Sequence, residues 1–245
     1  MKPFFILLGL SICVISLSAQ EAYQYNQFYY QRATLFEKLP INSDDIVFLG
    51  NSITDGGHYH SYIWLYYMTR FPNMPLRILN GGIGGDTAYD MNKRLDGDIF
   101  PMKPSVLMVT FGMNDSGYFE YNGDNPKEFG EQKYQESIKN YQQMEKRFKD
   151  LPDTRIVMVG TSPYDETVQL KENVPFKTKN ETIKRIVEYQ KESAAKNNWE
   201  FTDLNAPMVA LNQQNQQKDP AFTLCGSDRI HPDMSLIHIS EPTRQ

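Results

Sequence analysis

Ile46-Val47-Phe48-Leu49-Gly50-Asn51-Ser52-Ile53-Thr54-Asp55-Gly56-Gly57 reads as a buried strand running directly into a turn. The apolar, strand-forming residues stop at Gly50, and the polar cluster behind them has the composition of a helix entry. Ser52 therefore lands at the carboxyl end of a strand. In open α/β sheets ligands bind in the crevice outside those ends, and a helix N-terminus there presents free N–H groups to a developing negative charge. Ser52 is the candidate nucleophile, although a Gly-x-Ser turn standing alone is more often an N-cap or an ordinary turn residue.

A serine is a weak nucleophile until a base takes its proton, and the base needs a partner that fixes its tautomer. Far along the chain, Asp228-Arg229-Ile230-His231-Pro232-Asp233 places a carboxylate three residues before a histidine in a polar, turn-rich segment. Ser52, His231 and Asp228 fit the three roles. Asn80-Gly81-Gly82-Ile83-Gly84-Gly85-Asp86-Thr87 adds a glycine-rich loop in which a backbone N–H can approach a reacting oxygen. Val106-Leu107-Met108-Val109-Thr110-Phe111 reads as a second buried strand, and Gly112-Met113-Asn114-Asp115 behind it brings an amide side chain to the same rim. The Ser52 N–H, the Gly85 N–H and the Asn114 amide would make a three-donor oxyanion hole.

In this order the four segments resemble the blocks of the SGNH (GDSL-type) esterase and lipase superfamily. Gly50-Asn51-Ser52-Ile53-Thr54 resembles the nucleophile block in a Gly-Asn-Ser variant, and Gly85 and Asn114 fall at the family's oxyanion glycine and asparagine. Asp228 and His231 fall at its base block. The resemblance spans about residues 40 to 233 and is similar to exported bacterial acetylesterase-like members. It implies a serine esterase on a three-layer α/β/α sandwich with a parallel, flavodoxin-like sheet, and a chemistry that calls for neither metal nor organic cofactor.

Outward from these blocks, the pattern reaches the same architecture independently. Leu76 to Asn80, Arg155 to Gly160 and Trp199 to Thr202 read as strands; Thr87 to Leu95, Glu131 to Lys149 and Phe176 to Asn197 read as helices. Apolar residues at Tyr134, Ile138, Tyr141, Met144 and Phe148 give the second of these helices one greasy stripe. Strands alternating with helices make a doubly wound parallel sheet. The length, 245 residues, suits one domain with a sizeable core. At 40% hydrophobic and 22% charged the chain is not of a disordered class, and a net charge of -5 without a Lys/Arg patch argues against nucleic acid as a partner.

Residues 1–19 have a charged start, an apolar run from Phe4 to Leu17 and small residues before Gln20, the form of a cleaved secretory signal peptide and not of a membrane anchor. Leu10-Ser11-Ile12-Cys13 only faintly resembles a lipoprotein box, since Ile12 stands where a small residue is wanted, so lipidation is not expected. With Cys13 removed, Cys225 is the single mature cysteine; no internal disulfide can form, and Cys225 is better read as packed than reactive. Glu21 to Leu39, with Tyr23, Tyr25, Phe28, Tyr29 and Tyr30, reads as an aromatic arm or short helix.

His58-Tyr59-His60 invites a metal reading, but that spacing points to different faces of a helix and no carboxylate or cysteine cluster completes a site. The aromatic run Tyr62, Trp64, Tyr66 and Tyr67 is expected to be mostly core, with part of it beside a substrate cleft. The glycine loop lacks the Lys-Ser/Thr of a P-loop, so phosphate binding is the weaker reading. Gly117 to Gly130 reads either as a rim loop that shapes the substrate site or as a solvated connector. Asn205 to Lys218 reads as a helix whose Gln/Asn-rich end is polar and solvated.

The end of the chain, Ser235-Leu236-Ile237-His238-Ile239-Ser240-Glu241-Pro242-Thr243-Arg244-Gln245, resembles an in-frame translation of a transposon-type sequencing adapter. The expected organisation is thus signal peptide 1–19, hydrolase domain 20–234 without the family's last helix, and a non-native tail 235–245. Loss of that helix is expected to bare an apolar strip of the sheet and to leave the loop of Asp228 and His231 poorly held. The expected substrate is a small acyl ester, acetyl on carbohydrate first, with a lipase or lysophospholipase and a catalytically silent glycan-binding module as alternatives.

Overall fold

The computed structural model describes residues 44–74, 76–171 and 174–232. The expected signal peptide, Cys13, the expected aromatic arm, the expected non-native tail and the question of a last helix all lie outside the described residues. Five strands form one sheet: β1 (Asp44–Gly50), β2 (Leu76–Gly82), β3 (Val106–Val109), β4 (Arg155–Gly160) and β5 (Glu200–Asp203). Their order is β2-β1-β3-β4-β5, with every neighbouring pair parallel. Parallel pairing needs long crossovers, which helices supply. α1 (Ser52–Asp55) and α2 (His58–Arg70) link β1 to β2, α3 (Ala88–Arg94) links β2 to β3, α4 (Pro126–Phe148) links β3 to β4, α5 (Lys179–Asn197) links β4 to β5, and α6 (Asn205–Gln216) follows. The strand order reverses at β1, so the crevice beyond the carboxyl ends of β1 and β3 is the switch point where such sheets bind ligands.

Residues opposite one another in the register share a face. Val47 and Leu49 of β1, Leu107 and Val109 of β3, and Ile156 and Met158 of β4 all lie on one side. They are buried there with Met91 of α3, Tyr141, Met144 and Phe148 of α4, and Ile186 and Ala194 of α5. On the other face Phe48 is fully buried under Tyr59 and His60, with ring centroids 5.4 and 5.2 Å away. Helices on both faces make the α/β/α layering expected from the sequence. Around Phe48 that second face is covered less completely: Ile46, Ile78, Val106 and Met108 are only half-buried.

Three local expectations change. Tyr62, Trp64 and Tyr66 are 43%, 47% and 48% exposed instead of core. Apolar residues run almost without interruption from Tyr62 to Tyr67, so they encircle α2, and only one side of a helix can face a sheet. α4 begins at Pro126 rather than Glu131, because a proline at the first helical position has the right φ and gives up an N–H that the helix would not use. α5 begins at Lys179, and Phe176 stays in the preceding loop, stacked on Tyr164 at 5.6 Å. At α3 the entry is a capping box: the Thr87 side chain accepts from Asp90 N, and the Asp90 carboxylate accepts from Thr87 N.

α1 rests directly on the end of β2. A Cβ at Gly82 would come within 2.3 Å of Asp55 N and 2.8 Å of the Thr54 carbonyl carbon, both backbone atoms that cannot turn away. Gly82→Ala should therefore cost about 1–3 kcal/mol of unfolding free energy. In urea this appears as a lower midpoint at unchanged slope, whereas a wild-type midpoint would contradict the packing of α1 on β2.

Candidate active site

Gly50 ends β1, and Asn51 caps α1 by accepting from Ile53 N at 3.1 Å. Ser52 is thus the first helical residue, whose own N–H an α-helix leaves unused. The base arrives from the far end of the chain. His231 Nε2 lies 2.7 Å from Ser52 Oγ, and His231 Nδ1 lies 2.5 Å from Asp228 Oδ2. Asp228 Oδ1 accepts from the backbone N–H groups of Ile230 at 2.9 Å and His231 at 3.1 Å, so the carboxylate also shapes its own loop. Burial works against charge on Asp228, yet the His231 ring N–H and those two backbone donors hold its carboxyl below the usual carboxylate range. The group facing His231 is an anion at neutral pH.

A network of buried hydrogen bonds holds the base loop. Arg229 sits between Asp228 and His231 with φ of 66°, a left-handed conformation that costs about 1–2 kcal/mol for a side-chain-bearing residue. Its side chain is almost fully buried, and Nη1 donates to Asp165 O at 3.0 Å and Val168 O at 2.8 Å. In return Asp165 N donates to Arg229 O at 3.0 Å. The Asp165 carboxylate accepts from Thr167, Val168, Asn212, Gln216 and Thr223, binding the loop after β4 to α6 and to the approach of the base loop. Gly226 N donates to His231 O at 2.6 Å and closes the turn.

Asp165, Arg229, Asn212 and Gln216 were not among the candidate site residues read from the sequence. The available signal was the spacing of Asn212 and Gln216, which at i and i+4 share one face of α6 and point it inward.

The oxyanion candidates converge on the same rim. Gly85 has φ of 86°, and a Cβ there would meet nothing within 4 Å, so its glycine serves backbone conformation and not space. Ile83 N donates to Gly50 O at 3.1 Å, tying the glycine turn to the end of β1. On its other side Asn114 Nδ2 donates to Asp86 O at 2.9 Å. Arg94 supports the turn from beneath, donating to Asp86 Oδ2 and Gly81 O, each at 2.6 Å. Asp115 joins the segments that carry Gly85 and Asn114: its carboxylate accepts from Ala88 N and Gly112 N, both at 2.9 Å, and from the Ser137 hydroxyl. Complete burial raises the Asp115 carboxyl above the usual range despite those donors.

The other candidates have structural partners. His60 Nε2 lies 3.0 Å from Thr54 O, bracing α1 on α2, and among the described residues no group of three His, Cys, Asp or Glu could hold a metal. Cys225 is buried with its Sγ donating to Pro163 O, and burial pushes its thiol up to about 12. It is no nucleophile at neutral pH. In the segment after Asn114, Tyr121 is buried, its hydroxyl donating to Ser116 O and accepting from Thr182 Oγ1, Tyr118 donates to Asn114 Oδ1, and Phe119 is 78% exposed. No helix among the described residues is long and apolar enough to cross a membrane.

Known proteins resemble the chain in sequence or in fold. A gut microbial diltiazem-metabolizing enzyme is 82% identical to the chain and superposes with a TM-score of 0.77 over 78% of this chain and 43% of its own. An acetylxylan esterase from Geobacillus stearothermophilus, 21% identical, has the same fold over 83% of this chain and 98% of its own, with a TM-score of 0.60. An uncharacterized lipoprotein of Bacillus subtilis (strain 168) is 35% identical over 79 residues, 30% of this chain and 32% of that one. The chain spans less than half the length of the diltiazem-metabolizing enzyme and of the curated relatives it matches. The GDSL-like lipase/acylhydrolase family matches residues 48–235, from the strand that delivers Ser52 to beyond the loop that carries His231, and the chain belongs to it.

Proposed function

We propose that this chain is a serine carboxylic ester hydrolase that removes small acyl groups, acetyl foremost, through an acyl-enzyme. The observation that carries this reading is the continuous hydrogen-bonded line from Ser52 Oγ through the His231 ring to Asp228. His231 Nε2 takes the Ser52 proton as Oγ attacks the ester carbonyl, and Asp228 holds the ring in the tautomer that leaves Nε2 free to accept. The carbonyl electrons move to oxygen, where the Ser52 and Gly85 N–H groups and the Asn114 amide receive them. Each such donor is worth about 3–4 kcal/mol in a site of this kind. His231 then gives its proton to the departing alcohol. Water, deprotonated by the same nitrogen, attacks the acyl-serine and releases the acid.

Carbohydrate as the alcohol is supported by the fold shared with acetylxylan esterases and by aromatic side chains at the rim. Beside Asn114, Tyr118 meets Phe176 edge-on at 6.1 Å, and Phe119 meets it at 5.6 Å. A bulkier aromatic alcohol is the second reading, favoured by the exposed Phe119 ring and by the 82% identity to a diltiazem-metabolizing enzyme. Export after removal of residues 1–19 belongs to the same proposal and is supported by their composition.

Two measurements test it. Asp228→Asn should leave the protein folded, with at most a modest drop in Tm, while lowering kcat by roughly 10³–10⁴-fold. A variant with near-normal turnover would remove Asp228 from the line. Against para-nitrophenyl esters the protein should prefer acetate to octanoate, and Ser52→Ala should abolish both activities. Octanoate preference would point to a lipase, and a folded but inert wild type to a binding module.

A further inference from the structure

An asparagine amide serves an oxyanion only one way round: the NH₂ donates, whereas the oxygen, turned inward by a flip, would repel the charge. Two bonds decide the orientation of Asn114. Its Nδ2 donates to Asp86 O, and its Oδ1 accepts from the Tyr118 hydroxyl. Asp86 O can only accept, so it takes the NH₂ side of the amide; the Tyr118 hydroxyl, which could pair with either end, is left to donate to Oδ1 and braces that orientation. It also draws electron density toward Oδ1, which makes the N–H groups stronger donors.

Tyr118 is itself held from below. Lys179, at the first position of α5, is fully buried, and its Nζ lies 3.9 Å from the centroid of the Tyr118 ring. That ammonium donates to Met113 O at 2.8 Å, to Ser116 Oγ at 2.6 Å and to Gly117 O. The three acceptors flank Asn114 in sequence, and an ammonium has three protons for them. Only the charged form satisfies all three, although burial draws the group down to about 7 against the opposing pull of Asp115. A buried lysine is costly, and this one is spent on the loop that carries Asn114 and on the ring beside it.

We propose that Tyr118 is a positioning residue of the oxyanion hole: its hydroxyl braces the Asn114 amide in the orientation that the Asp86 carbonyl selects, with the NH₂ toward the reacting oxygen, and Lys179 locks the Tyr118 ring and the Met113–Gly117 turn. The inference rests on the esterase reading above. Tyr118 acts through Asn114, so its effect vanishes when the amide is gone.

A double-mutant cycle on the full chain with para-nitrophenyl acetate reads this directly. Tyr118→Phe keeps the ring over Lys179 and deletes only the hydroxyl; it should lower kcat roughly tenfold, the worth of one hydrogen bond, with KM within about twofold. Asn114→Ala should lower kcat about 10²–10³-fold. The double variant should be no slower than Asn114→Ala alone. Lys179→Met, if folded, should reproduce the kcat loss of Tyr118→Phe in the same two backgrounds. Wild-type kcat in Tyr118→Phe, or a full additional tenfold loss in the Asn114→Ala background, overturns the proposal while leaving the esterase reading intact. Activity retained by Ser52→Ala overturns that reading itself, and the two failures are thereby told apart.

Discussion

Almost no space is left for a side chain where β1 and β2 end. A Cβ on Gly50 would lie 2.0 Å from Thr54 Oγ1, and one on Gly82 would strike the backbone of α1. This closeness places the first turn of α1 directly above the strand ends, so Ser52 is fixed by main-chain packing and needs no long side chain to aim it. Gly50 O at the same spot accepts from Ile83 N and from the Arg94 guanidinium, which brings the glycine turn of Gly84 and Gly85 to the nucleophile. The serine turn and the glycine turn are thus anchored at one place, the end of β1.

The base comes from 179 positions further along and has no such scaffold of its own. Its anchor is electrostatic and polar: Arg229 is buried on the carbonyls of Asp165 and Val168, and the Asp165 carboxylate gathers donors from its own loop, from α6 and from Thr223. Buried charge of this kind is costly unless its hydrogen bonds are made, and removing either side would strand the other. A strained Arg229 backbone persists because its surroundings over-determine it. The candidate site therefore joins a serine fixed by close packing to a histidine fixed by a polar network, and Asp115 performs the corresponding task between the entry of α3 and the turn after β3.

The fold was legible because its signal is local. The apolar runs at Val47 to Leu49, Leu107 to Val109 and Ile156 to Val159 alternate with amphipathic helices, and that alternation dictates a parallel sheet. Ser52, Gly85, Asn114, Asp228 and His231 could be picked out as candidates because each stands in a short block with its own turn chemistry, and the structure brings Ser52, His231 and Asp228 into hydrogen-bonding contact. Lys179, Arg229 and Asp165 were not legible, since a charged residue is by default solvated and its burial is revealed only by partners far away in sequence. The same holds for Asn212 and Gln216, hidden in a run whose composition suggests a solvated helix end. The aromatic residues of α2 failed in the opposite sense: hydrophobicity predicts burial only where one stripe of a helix carries it.

The central claim is that Ser52 is an activated nucleophile while the other hydroxyls around it are not. Fluorophosphonate labelling of the folded protein, followed by intact mass and peptide mapping, tests it most directly. One adduct per chain, located on Ser52 and absent from Ser52→Ala and from His231→Ala, is the predicted result. No adduct, an adduct elsewhere, or undiminished labelling without His231 would contradict the account.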